Sequence, residues 1–457
     1  MLRQLTDKAT PWIMGVAVLA SALAAGACSD GGGQASTSAR STGTIEQPTV
    51  EGITVAPSSD RVDLASPTFS NPTEVTNPLF PVSQQASVLL LGKVDDQPFR
   101  TEVTLLPETR IVDWQGQRVE TLVSQYVAYL GGRLHEVAYD FYAQDDAGAV
   151  WYFGEDVFNF DNGAIVDTHG TWIAGKDGPG AMIMPAAPQV GDVYRPENIP
   201  GFVFEEVTVK ATDQTLDGPL GPVEGGLVIE ELHMDGATEE KSFAPGYGEF
   251  STAGGGDVEA LALAVPTDVR SEAMPAELDV LERGALEAFE GAGSQRWGSL
   301  RATVEGITAA WSTAKATGVP DRLEPELSRA LEELATAVQE RDSAAARQAA
   351  LDVARWTLDL QLRHRPVSEV DLARFDLWAA QMLIDAEADD PAAVNGDYFS
   401  LDYIRDRIQH VLGETERARM NLVLEELNGA VGDADMTGAV RGARELRAIV
   451  AELRAAG

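Results

Sequence analysis

Tyr139-Asp-Phe-Tyr-Ala-Gln-Asp-Asp-Ala-Gly-Ala-Val-Trp-Tyr-Phe-Gly-Glu-Asp156 decides the fold of the first half of this chain. Two aromatic-rich runs flank Asp145-Asp146-Ala147-Gly148, where Asp and Gly supply the backbone conformations a tight reversal needs. The stretch reads as a β-hairpin whose rings fill a core. Working outward, Thr101, Val103 and Leu105 alternate with neighbours on the other face, and Val207, Val209 and Ala211 alternate with Glu206, Thr208 and Lys210. This period of two, with further turns at Asp161-Asn162-Gly163 and Asp217-Gly218-Pro219, predicts an antiparallel β-sandwich or barrel-like domain over 66–265. Pro78, Pro81, Pro185, Pro188, Pro196 and Pro200 mark its loops and strand ends.

The pattern changes after Pro266. From Pro275 onward the chain is rich in Ala, Leu, Glu and Arg, with apolar residues at helical spacing and Pro320, Pro325, Pro366 and Pro391 where helices start or stop. Seven or eight helices are predicted, giving an α+β multidomain chain in which the β-domain is followed by an α-helical bundle over 275–457. An internal repeat supports the bundle. Leu331-Glu-Glu-Leu334, Ala337-Val338, Asp342, Ala346 and Ala350 recur as Leu424-Glu-Glu-Leu427, Ala430-Val431, Asp435, Ala439 and Ala443. Each copy reads as a helical hairpin whose Asp caps the second helix, so the bundle is expected to be duplicated.

At the N-terminus, Arg3 and Lys8 precede the apolar run Trp12–Ala27, which is short and rich in small residues for a membrane span. Ala25-Gly26-Ala27-Cys28 resembles a bacterial lipobox, so residues 1–28 read as a lipoprotein signal peptide with Cys28, the single cysteine, as the lipidated residue. The alternatives are an ordinary secretory signal or an uncleaved anchor helix. Residues 29–65 are Gly/Ser/Thr-rich and predict a disordered tether. With one cysteine an internal disulfide is excluded, and 457 residues suffice for two or three cores. A formal charge of −38 repels phosphate backbones and anionic headgroups. Nucleic acid is therefore excluded as a partner, membrane contact falls to the lipid anchor, and an envelope protein or cationic ligand is favoured.

Asn77-Pro-Leu-Phe-Pro81, the 139–156 stretch, Gly170-Thr-Trp172, Met184-Pro-Ala186, Gly191-Asp-Val-Tyr194 and Ala244-Pro-Gly-Tyr247 resemble an uncharacterised family of bacterial secreted and lipoprotein β-domains over about 75–265. The resemblance implies an extracytoplasmic location and a β-rich fold. It brings no reaction, cofactor or catalytic residue.

Candidate chemistry is sparse. Tyr139, Tyr142, Trp151, Phe158, Phe160 and Trp172 beside Asp and Glu form either a sugar-binding platform or a core. Asp145, Asp146, Asp161 and Asn162 offer oxygen ligands to calcium without an EF-hand spacing, and otherwise serve as turns. Asp402, Asp406 and His410 share a helical face that, joined by His364 or Met382, makes a candidate metal site; a solvated polar face beside Arg405 and Arg407 is the alternative. In the helix over 367–386, Asp371, Arg374, Trp378, Gln381 and Asp385 align as a polar stripe that meets a ligand or partner, pairs within the bundle through Asp371 and Arg374, or is merely solvated. Asp352, Arg355, Asp359 and Arg363 read as surface ion pairs. His135, His169 and His233 are scattered, and no nucleophile elbow, phosphate loop or zincin motif occurs. A pair of acids acting as in glycosidases needs no motif and stays open. No cofactor is predicted. The expectation is a non-enzymatic, lipid-anchored binding or structural protein of the cell envelope; the alternatives are extracytoplasmic metal handling through the bundle and carbohydrate binding or hydrolysis through the aromatic hairpins.

Overall fold

The computed structural model describes residues 48–456. The signal peptide over 1–28, its Cys28 and the tether as far as residue 47 lie outside the described residues. Residues 48–65, expected in the tether, pack on the folded body instead. Thr49–Val50 (β1) and Ile53–Thr54 (β2) make a short hairpin, Val55 is buried, the Ala56 amide donates to Glu206, and Val62 N–H donates to Val193 O at 2.8 Å.

The strands that follow are Ser87–Val94 (β3), Gln97–Trp114 (β4), Gln117–Leu130 (β5), Arg133–Gln144 (β6), Val150–Asp161 (β7), Ala164–Asp167 (β8), Trp172–Ile173 (β9), Ala181–Met184 (β10), Val193–Ile199 (β11), Val203–Gly218 (β12), Gly221–His233 (β13), Thr238–Ala244 (β14), Gly248–Gly254 (β15) and Asp257–Val265 (β16). The 139–156 stretch is the β6–β7 hairpin. Asn162 and Gly163, with φ of 49° and 73°, turn β7 into β8 as an Asn-Gly pair does when both residues need positive φ.

These strands form one antiparallel sheet in the order β10-β7-β6-β5-β4-β3-β16-β15-β14-β13-β12-β11, with β8 and β9 on β7. This corrects the sandwich or barrel expectation: among the described residues no ladder joins β10 to β11, so the sheet is not a closed barrel, and its strands are not divided between two sheets. The reason is strand length. β4 runs for 18 residues and β12 for 16, and register shifts bend both, one of them at Leu105/Thr109 where Pro107 lacks a ladder donor. A bent sheet of this size can bury its own inner face. Trp114, Trp151, Phe153, Trp172, Tyr194 and Ile229 belong to that interior core.

Eight helices among the described residues cover part of the outer face: Ala276–Gly293 (α1), Trp297–Ala314 (α2), Leu323–Glu340 (α3), Ser343–Gln361 (α4), Val367–Glu387 (α5), Pro391–Ile408 (α6), Glu414–Gly432 (α7) and Met436–Ala456 (α8). α1 packs on α2 and α4, and α3 on α4; likewise α5 packs on α6 and α8, and α7 on α8. The 93-residue offset of the Leu-Glu-Glu-Leu repeat relates all four pairs, since shifting α1 lands on 369–386, within α5, and shifting α2 lands on 390–407, almost all of it in α6. The bundle is thus a tandem pair of four-helix units. Leu89, Leu263 and Val265 join the core of the first unit, and Val127, Tyr129 and Val137 that of the second. No helix among the described residues is long and apolar enough to cross a membrane.

Candidate functional site at the seam between sheet and helices

Alternation along β4 sets the chemistry of the seam. Thr101 and Val103 point to the sheet interior with Tyr126 and Glu259, so Arg100, Glu102 and Thr104 face the helices. Opposite them, α4 presents Asp359, α5 presents Asp371 and Arg374, and α6 presents Arg407, all buried. Three arginines and three carboxylates make a neutral buried cluster. Arg374 donates to Asp359 Oδ1 at 2.7 Å and Asp371 Oδ1 at 2.9 Å; Arg407 donates to Glu102 Oε2 at 2.7 Å and Gln125 Oε1 at 2.6 Å. Burial by itself raises the Glu102 carboxyl, but Arg374, Arg100 and Arg407 outweigh it and hold the group well below its ordinary range. Burial disfavours the Arg374 charge in the same way, and Glu102, Asp359 and Asp371 reverse that, so the guanidinium stays charged.

Beside this cluster lies a cavity of about 530 Å³ between β4 and the start of α5, within the range of small-molecule sites. Thr104, Asp371 and Arg407 line it, with His364 and His410 and an apolar wall that includes Leu105, Val265 and Val367. Each of the first three keeps one buried polar atom without a protein partner: Thr104 Oγ1, Asp371 Oδ2 and Arg407 Nη2. Such atoms are costly to leave unmet, the more so when charged. On the other side of the cluster, Tyr129, Trp356 and Trp378 line a cavity of about 120 Å³, with Tyr129 stacked on Trp378 at 5.3 Å and Arg355 over Trp378. That space holds waters more readily than a ligand.

Several expectations are redrawn here. The stripe on α5 is buried along its length, because it faces the sheet and α4: Asp371 and Arg374 join the cluster, Gln381 pairs with Gln348 at 2.9 Å, and Asp385 accepts from Arg133 at 2.7 Å. In the ladder taken as surface ion pairs, only Asp352 and Arg355 fit, partly exposed at 2.9 Å; Asp359 is 0% exposed and Arg363 is buried. Arg407, read as part of a solvated face, is 3% exposed. The proposed metal face does not assemble. Asp406 accepts from Tyr139 Oη at 2.8 Å and from Arg405, His410 leaves the helix in a short 3-10 turn, and among the described residues no three metal-ligating side chains gather. His364 and His410 both line the cavity.

The sugar platform is also corrected. Trp151 and Trp172 are 2% and 0% exposed, because the curled sheet closes over their faces. Asp145 accepts from the Ala147 and Ala149 amides and from Trp151 Nε1, and Asp146 accepts from Thr68 and Ser70; both work as turn acceptors. Asp161 and Asn162 form the exposed β7–β8 turn.

The sheet interior holds a feature the sequence did not disclose. Asp140, Glu155, Glu197, Glu205, Glu231, Glu239 and Glu259 are all buried there, accompanied by His233 and Lys241. Burial holds Glu155 of β7 and Glu197 of β11 well above their ordinary range. Lys241 reaches Glu231 at 2.5 Å, and His233 lies 3.4 Å from Glu205. Acids in pairs invite a glycosidase reading. A cavity beside them, next to Asp140, Glu249 and Glu259, is about 70 Å³, too small for a sugar ring with its neighbours.

Arg100, Glu102, Thr104 and Gln125 were not foreseen as site residues. Their signal was present as polar residues alternating with apolar ones, a pattern that solvated strand faces produce equally. Compared with models of protein families and with curated proteins, the chain matches none.

Proposed function

We propose that this chain is a non-enzymatic, lipid-anchored protein of the bacterial cell envelope that binds a small polar molecule in the seam cavity. The single observation that carries the binding role is the convergence of Thr104, Asp371 and Arg407, from three elements in two layers, on one cavity of about 530 Å³ whose wall also carries His364 and His410. Their rigidity favours recognition. Arg374 holds Asp371, while Glu102 and Gln125 hold Arg407, so both groups are pre-oriented before a ligand arrives. The envelope address is supported by Arg3, Lys8 and the Ala25–Cys28 lipobox, and by the resemblance of 75–265 to secreted and lipoprotein β-domains.

Thermal melts of the purified mature protein against single amino acids, carboxylic acids, amines, sugars and nucleosides test the binding role. At least one class is expected to raise the melting temperature, and Ser368→Trp, which plugs the cavity from the first turn of α5, is expected to abolish that rise. If no class stabilises the protein, or if the plugged variant responds equally, the cavity is not a binding site. Mass spectrometry of the mature N-terminus tests the address: an acylated Cys28 is expected, and an intact residue 1 with a free thiol overturns it.

A further inference from the structure

We infer that a second cleft, at the junction of the two four-helix units, binds a compact oxyanion carrying at least two negative charges. Phe289 and Glu290 of α1, Arg347 of α4, Glu387 of α5, and Arg444 and Arg447 of α8 line about 330 Å³, within the range of small-molecule sites. Three guanidinium groups thus share one cleft in a chain of formal charge −38. α4 and α8 are the same element of the two copies, yet the 93-residue offset matches Arg347 with Val440, Arg444 with Leu351 and Arg447 with Ala354. The basic cleft therefore belongs to the junction and is not a by-product of the repeat.

Two of the three guanidinium groups are fixed where they stand. Arg347 and Arg447 lie over the ring of Phe289, at 4.6 and 5.3 Å from its centre, and Arg447 donates through Nε to buried Asp376 at 3.0 Å. Their other partners are held less firmly. Arg447 Nη1 donates to Glu290 at 2.8 Å and Arg347 Nη1 to Glu387, but both acid side chains are more than half exposed. Water screens such carboxylates, and each can turn outward at little cost. Arg444 is exposed and meets no carboxylate among the described residues. An oxyanion that displaces Glu290 and Glu387 meets pre-placed forks from both units and one free cation. A single carboxylate replaces only one of the two displaced acids, so a ligand with at least two charges is favoured. The overall negative charge repels nucleic acid and anionic membrane surfaces before they reach the cleft, which leaves small molecules.

Isothermal titration of the mature protein at low salt tests this with phosphate, sulfate, succinate and citrate as probes and acetate as the singly charged control. At least one of the four is expected to bind at one site per chain, with acetate at least about tenfold weaker. Preference for phosphate and sulfate identifies a phosphoryl-type ligand, and preference for succinate and citrate a di- or tricarboxylate. Arg444→Gln, at an exposed position, is expected to weaken binding about tenfold, and Arg301→Gln, on the exposed face of α2, to leave it unchanged. Glu290→Gln is expected to tighten binding severalfold, because it frees the Arg447 fork, an effect that a merely structural pair would not produce. Ser368→Trp, which plugs the seam cavity, is expected to change nothing here, so the two sites fail separately. Silence from all four probes, equal binding of acetate, or unchanged affinity in Arg444→Gln overturns the inference.

Discussion

Arg100 donates through Nη1 to Asp359 Oδ2 at 2.7 Å and through Nη2 to Asp359 Oδ1 at 2.8 Å, a two-pronged pair between residues 259 positions apart. It fastens the sheet to α4, with Asp359 fully buried and Arg100 nearly so. The fork geometry matters, since two parallel bonds fix orientation as well as distance. Arg374 shares Asp359, so this one carboxylate compensates two buried cations.

Removing it therefore isolates charge rather than deleting one contact. Asp359→Ala is expected to lose about 3–5 kcal/mol of stability, the usual cost of an uncompensated buried ion. Two turns earlier on the same helix, Asp352→Ala breaks a partly exposed pair with Arg355 and should cost less than about 1 kcal/mol. Urea titration of both variants checks the contrast. Equal losses would mean that the buried cluster contributes no more than a surface pair.

The duplicated bundle makes a second prediction. Asp342 accepts from the Ala345 amide at 3.0 Å and caps α4, so Asp342→Ala should cost about 1 kcal/mol. Asp435 occupies the matching place before α8, with its carboxylate against Gly438 in the first turn. A similar loss is expected for Asp435→Ala by the same titration; a neutral effect would show that the repeat preserves helix boundaries without preserving the cap.

How far the sequence foretells this arrangement depends on how many faces of an element are covered. The hairpin turns, the switch to helices after Pro266, and Asp342 as a cap are local chemistry, and they read directly. β5 shows where local reading stops: from Thr121 to Tyr129 it is buried on both faces, because interior rings cover one side and helices the other. Alternation then no longer distinguishes core from solvent. The charged residues fail for the same reason, since Asp359 and Arg407 carry no mark of burial; only their partners, Arg100 and Glu102, lying more than 250 positions away, reveal it. The curl of a single sheet was equally hidden, being set by bulges whose positions depend on cross-strand register.

At Gly163 the sheet touches the bundle so closely that no side chain fits. Its φ is +73°, and a Cβ there would stand 1.9 Å from Ala392 O at the start of α6. Gly163→Ala should lose more than about 1 kcal/mol, through both backbone strain and displacement of α6. Gly306, exposed in the middle of α2 with nothing within 4 Å, supplies the control: Gly306→Ala should gain up to about 1 kcal/mol. Chemical denaturation that ranks the two the other way would place the contact between β8 and α6 in error.

Stability should also respond to pH in opposite senses in the two polar regions. Inside the sheet, burial pushes Glu259 and, together with repulsion from Glu231, Glu205 up to about 8, and pushes Asp140 up to about 7. The unfolded chain releases these protons near the ordinary carboxyl range, so the folded chain binds more of them. That stabilisation is complete below about pH 4 and is lost as pH rises through 7 and 8. His233, lifted to about 10 because Glu205 and Glu239 overcome its burial, adds to the loss on the alkaline side. In the seam, Glu102 and Asp359 are depressed, so their contribution is present above about pH 4 and disappears as acid protonates them. The two trends leave a maximum near about pH 4–5. Thermal melts from pH 3.5 to 9 should show it, and Glu259→Gln, which keeps the size of the protonated acid, should flatten the alkaline limb alone. A melting temperature that climbs steadily to pH 8 is incompatible with protonated carboxyls in the sheet interior.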